Sequence, residues 1–338
     1  MRRILVVNVN WIGDVIFSSP VFKALKTEYP EARISCLAVP RVREVLESIP
    51  CVDEIIMYDE EGRHWGPLAK LALIMQLRRK RFDAAFLLHR SLTRALLVFW
   101  AGIPRRIGYD EKGRGRYLTH RSEFPGSDVH RSDHYLNIIE SYGVKVEDRW
   151  CRLNVCPEAA KDVAALLKEE NIRDSDFVVA VNPGGNWDLK RWPHDRFSSL
   201  ISQLMEQLQA KVVVTGAAKD ASLVRKIVSP LKRKPVNLTG KTSLKQLLAC
   251  FKRADIVVSA DTGPLHLASG VGTHVIGLFG PTRPEITGPR GEGSAVVIQQ
   301  DVGCNREPCY HIKCTDNTCM QAITVDDVIH QIKHIRNT

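Results

Sequence analysis

The segment Arg3-Ile-Leu-Val-Val-Asn-Val-Asn-Trp-Ile-Gly-Asp14-Val-Ile-Phe-Ser18 decides the fold and marks a candidate site. Its apolar run from Ile4 to Val9 predicts a buried strand, and the loop after it delivers Gly13 and Asp14 to the start of a helix. A helix start offers free N–H groups and a partial positive charge, so it is a preferred functional position in an α/β fold. A carboxylate there can act as a base, although Asp14 could instead only cap the helix.

Further apolar runs repeat this strand-to-helix pattern in both halves of the chain. Val and Ile runs bounded by Gly, Pro or Asp are typical of parallel strands covered on both faces. The predicted strands are 3–9, 33–39, 54–58 and 83–88 in the first half, and 177–182, 211–215, 236–238, 255–260 and 274–279 in the second. The pattern predicts an α/β protein with two doubly wound, mostly parallel domains and a cleft between the carboxyl ends of the two sheets.

A charged and polar stretch at 151–176 separates the two halves. We expect an N-terminal domain over 1–160, a C-terminal domain over 161–323 and a last helix over 324–338. Thr324, followed by Asp326 and Asp327, is typical of a helix N-terminus. This last helix could pack back on the N-terminal domain.

The composition is that of a soluble globular protein, with 338 residues, 44% hydrophobic and 25% charged. No apolar stretch is long enough to span a membrane and no secretory signal precedes the first strand, so we expect a cytoplasmic protein with reduced cysteines. The net charge of +10 predicts an anionic partner, which could be nucleic acid, phospholipid or an acidic glycolipid.

The most informative motif of the second half is Ser259-Ala-Asp261-Thr262-Gly263-Pro264-Leu-His266-Leu-Ala268. It follows an apolar strand and starts a helix, whose N–H groups and the Thr262 hydroxyl would form an anion pocket suited to a diphosphate. Gly263 would let a ligand approach the backbone closely. The alternative is a capped helix with His266 buried in the core.

Three other loops follow strands at the same predicted sheet edge. Asn182-Pro-Gly-Gly-Asn-Trp-Asp-Leu-Lys190-Arg191-Trp192-Pro193 brings Lys190 to this edge, unless Lys190 is only a solvated surface residue. Thr215-Gly-Ala-Ala-Lys-Asp220 and Leu238-Thr-Gly-Lys-Thr242-Ser-Leu244 end the next two strands. Asp220 could accept hydrogen bonds from ribose hydroxyls, and Ser243 could be only a helix N-cap.

Together these motifs resemble the lipopolysaccharide heptosyltransferases, the nucleotide-sugar glycosyltransferases of family 9, which have two facing Rossmann-like domains (the GT-B fold). The resemblance covers essentially the whole chain and rests on Trp11-Ile-Gly-Asp14, Lys190-Arg-Trp-Pro193, Thr215-Gly216, Thr242-Ser-Leu244 and Asp261-Thr-Gly-Pro-Leu-His266. The region Cys304–Cys319, with Ile323-Thr-Val beyond it, is most similar to the second heptosyltransferase branch. The chain departs from the family pattern at Asn8, where many relatives carry a basic residue, and at Asp220, where Glu is frequent.

The resemblance implies an inverting, metal-independent enzyme that moves heptose from ADP-heptose to the inner core of lipopolysaccharide, with Asp14 as general base. It implies no cofactor besides the donor substrate, no metal, and an anionic glycolipid acceptor at the inner membrane surface, to which the protein would be peripheral. The donor-binding residues that it implies are Gly185, Asn186, Lys190, Thr215, Gly216, Asp220, Thr242, Asp261, Thr262, Gly263 and His266.

The first half is expected to bind the acceptor. Arg105–Arg121 is the densest basic run and, with 78–81, would attract an acidic, membrane-anchored glycolipid. Its glycine spacing predicts an adaptable loop over the cleft, unless the run is only a solvated basic face. The candidate acceptor residues are Gly13, His89, Arg90, Arg114 and Arg116.

Several alternatives stay open at this point. Cys304, Cys309, Cys314 and Cys319, with His311 among them, could be a metal site, a redox-sensitive disulfide or a reduced structural loop. A dehydrogenase is disfavoured because the first loop lacks G-x-G-x-x-G. The remaining alternatives are a GT-B enzyme using another nucleotide sugar and acceptor, and a non-catalytic protein that binds sugar nucleotides or nucleic acid.

Overall fold

The computed structural model describes residues 1–304, 309, 314 and 316–337. The chain divides into two compact units, Met1–Asn154 and Val155–Thr338. The boundary thus lies after Asn154 rather than after residue 160. The reason is that the helix beginning at Pro157 buries its apolar side, including Val163 and Leu167, within the second unit.

The first unit is a six-stranded parallel sheet covered by helices, with the strand order β3-β2-β1-β4-β5-β6. Its elements are β1 (Arg3–Val7), α1 (Ile12–Phe17), α2 (Ser19–Glu28), β2 (Arg33–Ala38), α3 (Arg43–Glu47), β3 (Glu54–Met57), α4 (Pro67–Arg79), β4 (Ala84–Leu87), α5 (Leu92–Trp100), β5 (Arg105–Tyr109), β6 (His120–Ser122) and α6 (Arg131–Glu140).

The second unit repeats this architecture, with the parallel strand order β12-β11-β10-β7-β8-β9. Its elements are α7 (Pro157–Glu169), β7 (Val178–Asn182), α8 (His194–Glu206), β8 (Lys211–Val214), α9 (Ala221–Val228), β9 (Val236–Asn237), α10 (Leu244–Arg253), β10 (Ile256–Ala260), α11 (Gly263–Gly270), β11 (His274–Phe279), α12 (Pro284–Thr287), β12 (Ala295–Gln299), α13 (Thr318–Ala322) and α14 (Val325–Asn337).

The predicted α/β class is confirmed, and each predicted strand is present with bounds that differ by only one or two residues. Strands β5, β6 and β12 were missed. β5 begins with Arg105 and Arg106, and only its second half, Ile107–Tyr109, is fully buried. The basic run that was expected to be an adaptable loop therefore contributes two strands to the first sheet, which corrects that prediction.

The last helix, α14, belongs to the second unit. Val328, Ile329 and Ile332 are buried in the core cluster of that unit, and Trp192 Nε1 donates a hydrogen bond to the Ile323 carbonyl oxygen at 3.0 Å, just before the helix. The apolar side of the helix is therefore covered within the second unit. Trp192 itself is buried in the same core cluster.

Parallel strands bring the loops that follow them to one edge of each sheet, which is where the candidate residues lie. The helices are short: α4, α7, α8 and α14 each have 13 residues. Within the part of the chain that the structure describes, no helix has both the length and the apolar character needed to cross a membrane.

Candidate functional site

Asp14 lies in the first turn of α1, next to Gly13 and just beyond the carboxyl end of β1. Trp11 occupies the N-cap position of α1, and no side chain caps this helix. Instead, Asp14 Oδ1 accepts a hydrogen bond of 2.9 Å from the Tyr135 hydroxyl on α6. The interpretation of Asp14 as only a helix cap is therefore wrong, and the carboxylate is held by another element of the first unit.

Tyr135 is a permanent hydrogen-bond donor to Asp14. Burial, and then the charge and hydrogen bond of Asp14, raise the pKa of Tyr135 well above 10. The hydroxyl therefore keeps its proton at physiological pH and fixes one carboxylate oxygen. Among the described residues, no other side chain hydrogen-bonds to the Asp14 carboxylate. Its second oxygen is therefore left without a side-chain hydrogen bond from these residues.

A buried arginine holds the loop between β1 and Asp14. Arg94 donates from Nη1 to the Asn8 carbonyl oxygen at 2.7 Å and from Nη2 to Asn10 Oδ1 at 2.8 Å, and Nη2 lies 3.4 Å from Glu60 Oε1. The guanidinium brings a positive charge to the loop position where Asn8 stands. Arg94 was not predicted from the sequence, although one charged residue in the apolar run Leu92–Trp100 is a visible signal of a buried ionic contact.

Arg114 is a structural residue of the first unit. It is fully buried, its Nε donates to the Tyr109 carbonyl oxygen at 2.7 Å, and its Nη1 donates to the His89 carbonyl oxygen. The guanidinium thus binds the backbone at the carboxyl ends of β4 and β5 and holds the two chain segments together. The structure corrects the expectation that Arg114 lies in an adaptable loop, whereas Arg116 is exposed and stacks over Tyr117 at 5.1 Å.

His89 and Arg90 follow β4 at the same sheet edge as Asp14. Burial, together with the charges of nearby arginines and Lys112, lowers the pKa of His89 to about 3, and the Ser91 N–H donates to its Nδ1 at 3.1 Å. Arg90 lies 3.4 Å from Glu111 Oε2 and 3.3 Å from His134 Nε2. Burial and the neighbouring charges of Arg90 and Arg131 lower the pKa of His134 to about 4. Both histidines are therefore neutral at physiological pH.

In the second unit, the polar side chains converge on the carboxylate of Asp261, which follows β10. Lys190 Nζ lies 2.7 Å from Asp261 Oδ2 and His266 Nε2 lies 3.3 Å from Oδ1. Burial alone would raise the pKa of Asp261, but the hydrogen bonds and charges of His266 and Lys190 outweigh it and hold the pKa well below 3.8. The carboxylate is thus ionised in a nearly closed environment, and Lys190 is not merely a solvated residue.

Two threonines complete this network, and neither of them was predicted from the sequence. Thr282 Oγ1 donates to Asp261 Oδ2 at 2.8 Å and Thr287 Oγ1 donates to the same oxygen at 3.2 Å. They lie after β11, more than one element away from Asp261 in the chain, so no local motif connects them. The order β11-β10-β7 brings the three loops together.

The loop after β7 lies against the start of α11. A Cβ atom on Gly185 would be 3.1 Å from Thr262 Cγ2, so the glycine allows this close approach. Thr262 is the N-cap residue of α11, but its side chain makes no cap hydrogen bond, and Gly263 and Thr262 are partly exposed. The Thr262 hydroxyl, 3.2 Å from Ser259 Oγ, remains near the helix N–H groups.

Asp220 and Asn186 organise the neighbouring part of this edge. A Cβ atom on Gly184 would lie 2.4 Å from Asp220 Oδ2, which accepts the Ala217 N–H at 3.0 Å. The other oxygen of Asp220 is buried and has no hydrogen-bond partner among the described residues. Asn186 Oδ1 accepts a hydrogen bond from Lys219 Nζ at 2.5 Å, which adds an ammonium group that was not predicted from the sequence.

The other predicted residues line the same edge. Thr215 is buried and donates to Asn182 Oδ1 at 3.2 Å, and Gly216 follows it. Thr242 is partly exposed and precedes α10, where Ser243 is indeed the N-cap residue, bonded to the Gln246 N–H at 3.2 Å. Since β7, β8 and β9 are adjacent, the structure brings these loops to one edge as predicted.

No metal-binding group is present in the part of the chain that is described: no three His, Cys, Asp or Glu side chains lie together there. Among the described residues, Cys304, Cys309, Cys314 and Cys319 form no disulfide. His311, which the sequence analysis considered with them, lies outside the described residues.

Comparisons of sequence and of structure with known proteins both lead to the same glycosyltransferase family. The sequence profile of glycosyltransferase family 9 (heptosyltransferase) matches residues 70–319. Lipopolysaccharide heptosyltransferase 2 of Salmonella typhimurium is 29% identical over 316 residues, which cover 87% of each chain.

Solved structures show the same fold along the whole chain. A family 9 glycosyltransferase from Veillonella parvula superimposes with a TM-score of 0.91 and 25% identity, over 99% of this chain and 97% of that one. ADP-heptose lipopolysaccharide heptosyltransferase II of Escherichia coli has a TM-score of 0.81 and 25% identity, over 99% and 98% of the two chains. The predicted GT-B fold class is confirmed.

Proposed function

The chain belongs to glycosyltransferase family 9, the heptosyltransferase family, and we propose that it transfers heptose from ADP-heptose to the inner core of lipopolysaccharide. The relatives of similar length are named for lipopolysaccharide and lipooligosaccharide heptose transfer, which supports this donor and acceptor. The second unit binds the donor and the first unit supplies the general base and binds the acceptor.

The observation that carries the catalytic proposal is the hydrogen bond between Tyr135 and Asp14. The acceptor hydroxyl gives its proton to the free oxygen of Asp14 as its own oxygen forms a bond to the anomeric carbon of the heptose. The bond from that carbon to the diphosphate breaks with its electron pair, and ADP leaves. Attack opposite the leaving group inverts the configuration at the anomeric carbon.

The donor diphosphate is proposed to bind where Gly185 meets the start of α11. Thr262 offers a hydroxyl donor there, Gly263 a backbone N–H and Asn186 a side-chain amide. Lys190 Nζ donates one hydrogen bond to Asp261 Oδ2 at 2.7 Å and one to the Asp261 carbonyl oxygen at 3.1 Å. Its third N–H is left for a phosphate oxygen. These groups stabilise the charge that develops on the leaving diphosphate, so the proposal needs no metal ion.

The nucleoside and sugar are proposed to lie along the same edge. The buried, unpartnered oxygen of Asp220 would accept a ribose hydroxyl, and Thr242 would lie at the edge of the adenine. Thr215 and Gly216 form the floor beneath the nucleoside. His266, held by Asp261, faces the donor sugar.

The acceptor is proposed to lie beside Gly13 and Asp14. His89 and Arg90 follow the neighbouring strand β4, and the exposed Arg116 adds positive charge for an anionic glycolipid. Arg114 positions this segment by donating a hydrogen bond to the His89 carbonyl oxygen, and does not contact the acceptor itself.

The test is the Asp14→Asn variant, which keeps the shape of the side chain but removes the base. We expect kcat for ADP release with a core glycolipid acceptor to fall by about 10²–10⁴, with unchanged ADP affinity in calorimetry. The exposed Glu31→Gln is the matched control and should retain full activity. Wild-type turnover in Asp14→Asn would reject the base role, and failure of the wild type to use ADP-heptose would reject the donor.

A further inference from the structure

Helix α4 of the first unit presents a stripe of apolar side chains to solvent. Leu68, Leu71 and Met75 are 81%, 53% and 44% exposed, and Trp65, just before the helix, is 77% exposed. Spacings of three and four residues place the three helical side chains on one face. The opposite side of α4, including Leu77, is buried in the core of the first unit. A surface helix normally has polar residues on its outer face, so this apolar stripe indicates an interaction surface.

Exposed cations stand at the end of the stripe. Arg78, Arg79 and Arg81 are exposed, and none of them forms an ion pair with any residue that the structure describes. Lys80, between them, is paired with Glu54 instead. The three arginines line a groove of about 610 Å³, whose other walls are Met75, Phe82 and residues 101–104. A groove with apolar walls and unpaired guanidinium groups suits a phosphate headgroup with acyl chains beside it.

The charges of this surface favour a bilayer over a protein partner. An apolar stripe with arginines along a helix of about 20 Å is the pattern of a helix that lies in the plane of a membrane interface. A second copy of this chain, seated on the same face about a two-fold axis, would bring unpaired arginines towards one another. Anionic phospholipids neutralise the arginines and accept the apolar side chains at the same time.

The surface is also connected to the candidate base. Since α4 links β3 to β4, its first turn and Trp65 lie towards the carboxyl edge of the sheet, where Asp14 lies. The segment before Trp65 is a fixed turn, in which Asp59 accepts the N–H groups of residues 62 and 63. Glu60, in the same turn, lies 3.4 Å from Asn10 Nδ2 in the loop that leads to Asp14.

We infer that Trp65, the outer face of α4 and the three arginines form a docking surface for a bilayer that contains anionic phospholipids. A membrane bound there lies next to the sheet edge that carries Asp14, so a lipid-anchored acceptor reaches the base from it. The inference rests on the proposed function only for the nature of the acceptor, because binding to lipid is measured without any sugar.

The first experiment measures sedimentation of the full chain with vesicles of phosphatidylcholine and phosphatidylglycerol, and with phosphatidylcholine alone. Each arginine near an anionic surface contributes about fivefold, so Arg78→Gln/Arg79→Gln/Arg81→Asn should lower the partition coefficient about a hundredfold. Asn suits position 81, where φ is +49°. The matched control, Arg225→Gln/Lys226→Gln/Lys232→Gln, removes three exposed cations from the second unit and should bind almost as the wild type does.

The apolar stripe is tested by Trp65→Ser/Leu68→Gln/Leu71→Gln, with the exposed Trp150→Ser as control. We expect at least about a tenfold loss of vesicle binding in the triple variant only, with an unchanged melting temperature, because the side chains are exposed. Equal binding of triple variant and control would overturn the inference. A dimer in light scattering that the triple variant breaks, without vesicle binding, would assign the surface to a second copy and overturn it too.

Activity separates this inference from the proposed function. Both triple variants should transfer heptose to a delipidated core oligosaccharide as fast as the wild type does, and should lose activity on the acceptor embedded in anionic vesicles. A wild type that uses the soluble acceptor but binds no vesicles refutes the docking surface alone. A wild type that binds vesicles but transfers heptose to neither acceptor refutes the proposed function alone.

Discussion

Replacing Lys190 by Met should destabilise the second unit. Asp261 is almost fully buried, and Lys190 Nζ lies 2.7 Å from its Oδ2, with the lysine side chain only 21% exposed. Removing one partner from a buried ion pair costs about 3–5 kcal/mol, because the other charge remains without compensation. His266, Thr282 and Thr287 keep their hydrogen bonds to the carboxylate, so we expect the smaller cost of about 2–3 kcal/mol.

A double-mutant cycle isolates this effect. Asp261→Asn removes the charge that Lys190 compensates. In the Asp261→Asn protein, Lys190→Met should therefore lower the free energy of unfolding by less than it does in the wild type. We expect a coupling free energy of about 1.5–2.5 kcal/mol between the two positions. The matched control is Lys219→Met, which removes an ammonium that contacts the exposed Asn186 and should change stability by less than about 0.5 kcal/mol.

Scanning calorimetry of the full chain without nucleotide is the assay, because the two units can unfold in separate transitions. For a unit of this size, about 2–3 kcal/mol corresponds to a melting temperature about 4–12 °C lower. A Lys190→Met transition within about 1 °C of the wild type, or additive effects in the cycle, would refute the argument that Lys190 compensates a buried charge.

The pH dependence gives a second readout of the same pair. The folded pKa of Asp261 lies below its ordinary value of 3.8. A carboxyl of this kind stabilises the fold above its unfolded pKa, and that contribution is lost as the pH falls through the unfolded and then the folded pKa. Without Lys190 the folded pKa moves up towards the unfolded one, so the variant should show a weaker loss of stability below about pH 4 than the wild type.

Substitutions at three further positions test the surroundings of the site. Tyr135→Phe should keep the fold and the donor affinity but lower kcat about tenfold in an ADP-release assay, because Asp14 loses the donor that orients it; an unchanged kcat contradicts this. Arg94→Met should lower both the melting temperature and kcat while the donor KM stays constant, and Arg94→Lys should not restore kcat, because an ammonium cannot replace the fork of the guanidinium. Thr282→Val should lower stability by about 1 kcal/mol in calorimetry, and Thr282→Ser should restore most of it; equal losses would exclude a role for the hydroxyl.

The sequence predicted the parts of the fold that depend on local pattern. Continuous Val and Ile runs identified strands such as β1 and β10, because buried parallel strands have no polar face. β5 was missed since its arginines interrupt that pattern, and Arg106 satisfies carbonyl oxygens of residues 103 and 117, which only the tertiary structure reveals.

The candidate site divides in the same way. The residues that follow strands, such as Asp14 and Asp261, could be found because parallel strands gather their loops at one edge. Tyr135 lies 121 positions away from Asp14 on the face of a helix, and nothing in its own segment distinguishes it from a core tyrosine. Whether a residue of a distant element becomes a partner depends on how the helices pack. No local motif in a single sequence reveals that packing.

The crowding around Asp261 also limits which ligands this edge can attract. An ionised carboxyl oxygen has about two lone-pair directions, and Oδ2 already accepts hydrogen bonds from Lys190, Thr282 and Thr287. The negative charge is thereby screened, and an approaching molecule meets a rim made of the Lys190 ammonium, which keeps one N–H, and the acceptor lone pairs of the two threonine hydroxyls. Polyanions and hydroxyl-rich sugars find complementary groups on such a rim, whereas a compound bearing an ammonium group would be repelled from it.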